Sequence, residues 1–328
     1  MSELPFQITD LWNLPKSHFI DYSKRLFAWQ QLNNKVYAQW VQLMHQKKSS
    51  LDALTEIPFL PISFYKTHEV ICSNSLPPIF FESSGTTEDI VSKHWVTDKD
   101  IYEKSFSTCF NQFYGQPTEY CVIGLLPSYL ERQHSSLVYM VDHLIKASCH
   151  SQSGFYLYDF ENLNKVLKSL ESAKQKTLLI GVSFALMDFC DAYPQQLKHT
   201  IVMETGGMKG RKEEMIKSDL HLYLQKGFGV NEIHSEYGMT ELLSQAYAMQ
   251  DGLFRCPPWM KVLVGDEEDP GLLKTSGRGV LHVIDLANIY SCAFIATQDL
   301  GELFEDGTFR VLGRMDNSER RGCSLLVV

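Results

Sequence analysis

Between residues 17 and 47 apolar side chains recur every three or four positions: Phe19, Tyr22, Leu26, Trp29, Val36, Trp40 and Leu43, with Asn33 interrupting. That spacing lines one face of an α-helix and predicts a packing helix. From about Phe80 to His234 the pattern changes. Short apolar runs at Cys121 to Leu126, Thr177 to Val182, Thr200 to Glu204 and Glu232 to Ser235 read as buried strands. They alternate with helical patterns at Glu161 to Gln175 and Arg211 to Lys226, the second stopped by Gly227. Strands alternating with helices predict an α/β layer architecture. After about Gly252 the texture shifts again, through Pro257-Pro258 to a strand at Val280 to Asp285 and a hairpin closed at Asp306-Gly307, so this part is expected to be mostly β. There is no repeat, low-complexity tract or linker to divide the chain.

Charge narrows the partners. The 328 residues include 30 Lys and Arg against 39 Asp and Glu, a formal charge of −9, and no segment gathers basic residues into the patch a nucleic acid requires. No nucleic acid is expected. The apolar runs fall well short of the ~18 residues that cross a bilayer. Met1 to Asp10 carries acids and a Pro where a secretory signal needs a basic start and an apolar stretch. The expectation is a cytoplasmic protein with no membrane span. The eight cysteines, at 72, 109, 121, 149, 190, 256, 292 and 323, never form C-x-x-C and never stand beside a His at metal-ligand spacing. Most lie in apolar strings such as Glu119-Tyr-Cys-Val-Ile123, where Cys behaves as a small core residue; Cys323 is the exception.

Three stretches carry candidate chemistry. Phe81-Glu-Ser-Ser-Gly-Thr-Thr-Glu88 sets four hydroxyls around one Gly after an apolar run, a loop whose N–H groups and hydroxyls can wrap a phosphate. It is not a Walker loop, since G-x-x-x-x-G-K-[ST] occurs nowhere. Glu236-Tyr-Gly-Met-Thr-Glu241 follows an expected strand and precedes the helical-looking Leu242 to Met249; there Thr240 could hold a phosphate and Glu241 a magnesium ion, or the acids could simply favour a helix entry. Ala296-Thr-Gln-Asp-Leu-Gly301 places Asp299 at a strand end, where it could accept hydrogen bonds from a ribose diol or form a turn.

In order along the chain, Ser83-Ser-Gly-Thr-Thr87, Glu204-Thr-Gly-Gly207, Tyr237-Gly-Met-Thr-Glu241, Thr297-Gln-Asp299 and Gly313-Arg-Met-Asp316 resemble the adenylate-forming superfamily of acyl-CoA synthetases, luciferases and peptide-synthetase adenylation domains. The resemblance covers roughly residues 80 to 322. It looks most like the LuxE-type acyl-protein synthetases, with the phenylacetate-CoA ligase branch nearby. It implies an α/β large-domain fold: a helical N-terminal region over 1–80, an adenylate-forming core over 81–312 with its α/β part reaching about 251, and a short hinge-like tail over 313–328. It implies ATP and Mg2+ as cofactors, a carboxylic and in particular a fatty acid as substrate, and an acyl-reductase or acyl-carrier protein as partner. Carried over by position, Ser83, Ser84, Gly85, Thr86 and Thr87 would clasp the ATP phosphates, Gly206 and Gly207 would lie against adenine, and Tyr237 would stack on it. Thr240 and Glu241 would contact the α-phosphate and magnesium, Asp299 the ribose hydroxyls, and Arg314 the ribose or phosphate.

The chain departs from that pattern twice. The family's phosphate loop continues Gly-x-Pro-Lys where this chain reads Glu88-Asp-Ile-Val91. Val328 also falls about where relatives begin a mobile C-terminal domain with an adenylation lysine, for which Lys209, Arg211 and Arg320 are candidate substitutes. In the LuxE-type branch the acyl group moves to a cysteine near the C-terminus. Cys323, beside Arg320 and Arg321, would match it, because nearby cations favour the thiolate. Other readings compete. Gly181-x-Ser183-x-Ala185 approaches a nucleophile elbow, with Asp219 and His234 as nominal partners of a serine acyl hydrolase or transferase. Under the resemblance, Ser183 and Phe184 line the acyl pocket instead. An acyl- or aryl-CoA ligase, or a non-catalytic subunit of an acyl-transfer complex, would use the same core. His134, His143 and His150 read as solvated or packed histidines before they read as site residues.

Overall fold

The periodic segment after residue 17 folds as two helices, α1 (Phe19–Asn33) and α2 (Lys35–Met44). The computed structural model describes residues 3–44, 53–73, 76–77, 79–83, 90–126, 133–206, 215–266 and 272–315. The helix breaks at Asn34, one position after the residue that interrupts the pattern. Asn34 is extended, its Oδ1 accepts from Tyr37 N at 2.9 Å, and its Nδ2 donates to the Ser291 carbonyl at 2.9 Å. A side chain bonded both locally and across the molecule competes with the helix for its backbone.

Next come β1 (Leu60–Pro61), the one-turn α3 (Phe64–Thr67), and an antiparallel pair of β2 (Ile79–Glu82) and β3 (Lys93–Val96). The long helix α4 (Lys99–Tyr114) starts where the Asp98 carboxylate accepts from Asp100 N. Strand and helix then alternate as expected: β4 (Cys121–Leu125), α5 (Ser136–Ser148), β5 (Gly154–Phe155), α6 (Phe160–Ser172), β6 (Thr177–Val182), α7 (Ser183–Ala192), β7 (Thr200–Thr205), α8 (Lys217–Phe228) and β8 (His234–Tyr237). Some boundaries move. β8 begins two residues later than the pattern suggests, and α6 ends at Ser172. α8 runs through Gly227 and is stopped by Gly229, whose φ of 65° is the left-handed cap that glycine adopts at least cost.

The larger correction concerns Leu242 to Met249, which is not a helix. Leu243 N and Ser244 N both donate to Asp285 Oδ2, at 2.8 and 3.0 Å, and Ser244 Oγ donates to Asp285 Oδ1 at 2.6 Å. This bent segment feeds β9 (Ala246–Ala248), which pairs antiparallel with β8. The apolar string is buried because both faces of a strand are covered there, not because it forms a helical stripe.

The β-rich part is β10 (Phe254–Arg255), β11 (Met260–Gly265), β12 (Leu273–Lys274), β13 (Gly277–Asp285), β14 (Phe294–Leu303) and β15 (Phe309–Arg314). The β14–β15 hairpin turns where expected, with Asp306 Oδ1 accepting from Thr308 N and Oγ1. One sheet runs through the molecule in the order β12-β11-β13-β14-β15-β10-β9-β8-β7-β6-β4-β5, with β1 added in parallel on β14. From β5 to β8 it is parallel; from β8 onward each successive pair is antiparallel. Alternate residues serve two cores. Val122, Leu178 and Ile180 join the larger core with α1, α4 and α5, while Ile123, Leu125 and Leu179 join a second core under α6, α7 and α8. No helix among the described residues is long and apolar enough to cross a membrane.

Candidate active site

Tyr237, Asp299 and Arg314 meet where the parallel and antiparallel halves of the sheet join. Tyr237 Oη donates to Asp299 Oδ2 at 2.9 Å, and Arg314, opposite Asp299 in the β14–β15 register, brings Nε to 3.8 Å from Oδ1. The Tyr237 ring is 8% exposed and packs edge-on against Phe309, centroids 5.4 Å apart, with Phe254 at 5.7 Å. Burial and the Asp299 charge push its hydroxyl well above the usual range, so it remains a donor. Asp299 is half-buried and Arg314 exposed.

The Thr240–Glu241 turn is held by its backbone. His94 Nδ1 lies 2.8 Å from the Thr240 carbonyl, which can only accept, so Nδ1 carries the proton. His94 Nε2 lies 3.2 Å from Asn288 Oδ1, and Asn288 Nδ2 donates to the Glu241 carbonyl at 2.8 Å. Burial outweighs these two contacts and lowers the His94 pKa to about 4. With the backbone pinned from behind, Thr240 stays half-buried while Glu241 is 4% exposed. His94 stands on the same strand pair as Ser83, whose Oγ accepts from Ser92 N at 2.9 Å and whose N donates to the Ser92 carbonyl at 3.0 Å. One strand pair thus holds both Ser83 and the Thr240 turn. Neither His94 nor Asn288 was singled out from sequence. The available signal was the alternation in Lys93-His-Trp-Val96, which puts His94 on the inward face with Val96.

The carboxyl end of β7 carries a buried ionic cluster. Glu204 Oε1 is 2.7 Å from Lys217 Nζ and 3.5 Å from His221 Nε2, and Ser235 Oγ lies 3.2 Å from the same His221 nitrogen. Burial alone would push the Glu204 carboxyl up; Lys217 and the surrounding hydrogen bonds bring it down to about 2. Ser183 Oγ donates to the Gly206 carbonyl at 3.1 Å and to Glu204 Oε2 at 3.5 Å, which corrects the elbow reading. Among the described residues no histidine hydrogen-bonds Ser183, and its proton is directed at a carboxylate and a carbonyl. His234 pairs with Tyr114 Oη at 3.1 Å, and Asp219 sits in the first turn of α8. Phe184 is half-buried against the second core, and Gly206 is exposed with φ 72°.

Ser84, Gly85, Thr86, Thr87, Gly207 and Cys323 lie outside the described residues, as do Lys209, Arg211 and Arg320. Of the described thiols, Cys72, Cys109, Cys121, Cys190 and Cys292 are buried. Burial pushes Cys121 up to about 11, and Cys256 and Cys292 up to about 12. Cys149 is a second exception to the apolar setting: it is exposed at the end of α5. His134 is exposed and stacked on Phe80 at 4.2 Å, His143 packs edge-on against Phe106, and His150 Nδ1 accepts from Gln152 N. No group of three or more His, Cys, Asp or Glu among the described residues could cage a metal. A single carboxylate beside a hydroxyl, as at Glu241 and Thr240, suits a magnesium ion held mainly by substrate phosphates and water.

This is the fold of the adenylate-forming enzymes. A 2-hydroxyisobutyryl-CoA ligase, solved with 2-HIB-AMP and CoA, aligns with a TM-score of 0.64 over 97% of this chain and 80% of its own, at 11% identity. ATP-bound MatB from Rhodopseudomonas palustris aligns with a TM-score of 0.54 over 82% of this chain and 50% of its own, at 17% identity. In sequence, the long-chain-fatty-acid–luciferin-component ligase of Aliivibrio fischeri is 22% identical over 185 residues, 51% of this chain. That match covers 49% of the ligase, so the chain spans about half the length of this curated relative. No protein-family profile matches the chain. The relative and the structural neighbours are ligases of the adenylate-forming superfamily.

Proposed function

We propose that the protein activates a carboxylic acid with ATP as an acyl adenylate and then passes the acyl group to a protein thiol. The observation that carries this reading is the convergence of Tyr237, Asp299 and Arg314 at the junction of the parallel and antiparallel parts of the sheet, on the strand that leads into the Thr240–Glu241 turn. Asp299 would accept the ribose hydroxyls, with its orientation fixed by Tyr237. Arg314 would add positive charge at the ribose or phosphate. Adenine would lie against Gly206, which is exposed, and Gly207, with Tyr237 on its other side, and Ser83 to Thr87 would surround the outer phosphates. Magnesium, when bound at Glu241, would offset phosphate charge.

A carboxylate oxygen attacks the α-phosphorus while Thr240 donates to a phosphate oxygen. The bond to the β-phosphate oxygen breaks, pyrophosphate leaves, and acyl-AMP remains. A thiolate then attacks the acyl carbon, forming a thioester and releasing AMP. Cys323 is the proposed thiolate, a reading supported by its flanking arginines and by the raised, buried thiols at Cys121, Cys256 and Cys292. The name of the Aliivibrio relative makes long-chain fatty acids the first substrates to try, with an acyl-reductase or acyl-carrier protein in the cytoplasm as the onward acceptor.

Carboxylate-dependent ATP–pyrophosphate exchange tests the first step. Thr240→Ala and Glu241→Ala should each slow it ~10²-fold or more, the scale for losing a preorganised contact to developing charge. Unchanged rates in both variants would refute the site. For the second step, intact-mass measurement after incubation with ATP and a fatty acid should show an acyl adduct that disappears in Cys323→Ser while exchange persists. An adduct retained in that variant, or acylation of added CoA instead, would move the acceptor elsewhere.

A further inference from the structure

Gly238 lies between Tyr237 and the Thr240–Glu241 turn, and it is exposed. Two buried polar side chains pack beneath it. Glu236 Oε1 is so near that a Cβ added to Gly238 would stand 2.4 Å away, and Gln245 Cγ would be 3.4 Å from the same point. Glu236 is 7% exposed, and its Oε2 accepts from Thr205 Oγ1. Gln245 is 4% exposed, and its Oε1 has no hydrogen-bond partner.

The surrounding donors are committed elsewhere. Tyr102 Oη donates to the Ser136 carbonyl, Tyr114 Oη pairs with His234, and Cys109 Sγ is directed at the Gln245 backbone carbonyl. Glu236 is close enough to all three side chains, and to Tyr247, to push their ionisations up. On the opposite face of the sheet, Glu204 has Lys217 Nζ in contact at 2.7 Å, whereas Lys217 acts on Glu236 only as a weaker, more distant charge. A buried acceptor without a donor is costly, and such groups in native proteins mark an absent partner.

We propose that the acid activated at this site bears a hydrogen-bond donor, a hydroxyl or ammonium, on the carbons next to its carboxylate, received by Glu236 and Gln245. The inference rests on the adenylation reading and narrows its substrate. A carboxylate attacking phosphorus beside Thr240 is two residues from Gly238, so its first carbons cross the exposed glycine, and a donor on them reaches the two acceptors. A hydrocarbon chain can continue beyond. Burial and the Glu204 charge raise the Glu236 carboxyl to about 7, so near neutral pH it can ionise against an ammonium or stay neutral beside a hydroxyl. A side chain on Gly238 would displace Glu236 and block the approach.

The test is ATP–pyrophosphate exchange on the full chain with hexanoate and with its 2-hydroxy, 3-hydroxy and 2-amino derivatives, repeated on Gln245→Met and Glu236→Gln. At least one donor-bearing acid should exceed hexanoate by about 10²-fold in kcat/KM, as at sites whose buried polar groups are left unpaired by the analogue. In Gln245→Met that ratio should fall by about tenfold or more. In Glu236→Gln a preference for the ammonium should collapse further than one for a hydroxyl. If hexanoate matches or exceeds every derivative, the inference is overturned and adenylation stands; a ratio unchanged in both variants also overturns it. If no acid supports exchange, long-chain fatty acids included, the adenylation reading fails and takes this inference with it. Should either variant not fold, the wild-type ratio alone decides.

Discussion

Glu204 and Glu236 are buried carboxylates at the ends of neighbouring strands. In the β7–β8 register Glu204 faces Ser235 and Thr205 faces Glu236, so strand alternation sends the two acids to opposite faces of the sheet. On the α8 side, Glu204 finds a lysine, a histidine and a serine, and its carboxyl falls to about 2. On the α4 side, Glu236 finds one threonine hydroxyl and rises to about 7. The same side chain at the same depth is a strut in one place and an open acceptor in the other. What separates them is whether the counter-charge is in contact: Lys217 stands 2.7 Å from Glu204 and acts on Glu236 only weakly.

Lys217→Met should break that contrast most strongly, because it leaves Glu204 charged and unpaired in the interior. The expected loss is about 3 kcal/mol, the low end for splitting a buried pair because 29% of the lysine side chain is exposed. The sign with pH is testable in the same titration. A depressed carboxyl stabilises above its unfolded value of 4.5 and loses that contribution as pH falls toward 2, so the gap between variant and wild type should close over that window. A gap constant down to pH 2 would mean that Lys217 acts through its packing on Phe254, 4.5 Å from the ring centroid.

A smaller effect, about 2 kcal/mol, is expected from His94→Leu, which leaves the buried Thr240 carbonyl without its donor. Adenylation should fall through kcat more than KM if the turn is mispositioned. His94→Asn, whose amide can donate from the place of Nδ1, should restore most of both. Equal damage from Leu and Asn would show that ring packing against Tyr65, not the hydrogen bond, is what matters.

A change of opposite sign is expected for Glu236→Gln. A raised carboxyl stabilises fully below its unfolded value of 4.5, and that contribution is lost as pH rises through about 7. The variant should therefore match wild type in acid and become the more stable of the two as pH rises through about 7, read as melting temperature against pH. A gain independent of pH would place the Glu236 charge outside the titration of the fold.

What was legible in the sequence was local. The hydroxyl-rich loop, the Tyr237 to Glu241 string and the strand–helix alternation each declare themselves within ten residues, and the order of the motifs pointed to the fold. What misled was a local pattern overruled from afar. Leu242 to Met249 has the apolar content of a helix, but Asp285, 42 residues from Leu243, takes its N–H groups and turns it into the approach to a strand. His94 and Asn288 escaped notice for the same reason: each is unremarkable in its own segment and acquires a role only when the strand pair meets the Thr240 turn. The nucleophile elbow was a correct turn with the wrong chemistry. A strand-to-helix junction does place Ser183, but Glu204 and the Gly206 carbonyl take its proton.

The N-terminal helices are finished by the far end of the chain. Gln30 Nε2 donates to the carbonyls of Asn288 and Ile289, Gln30 Oε1 accepts from Ala293 N, and Leu60 and Pro61 pair with Ile295 and Ala296. During synthesis from the N-terminus, the apolar face bearing Leu26, Phe27 and Trp29 therefore waits for more than 220 further residues before its docking strand exists. Contacts so distant in sequence slow folding and prolong exposure of sticky surface. The emerging chain is expected to depend on chaperones until β14 has left the ribosome. A circular permutant that starts near β13 and joins the old termini would make the docking strand first, and it should refold faster while keeping the same native contacts.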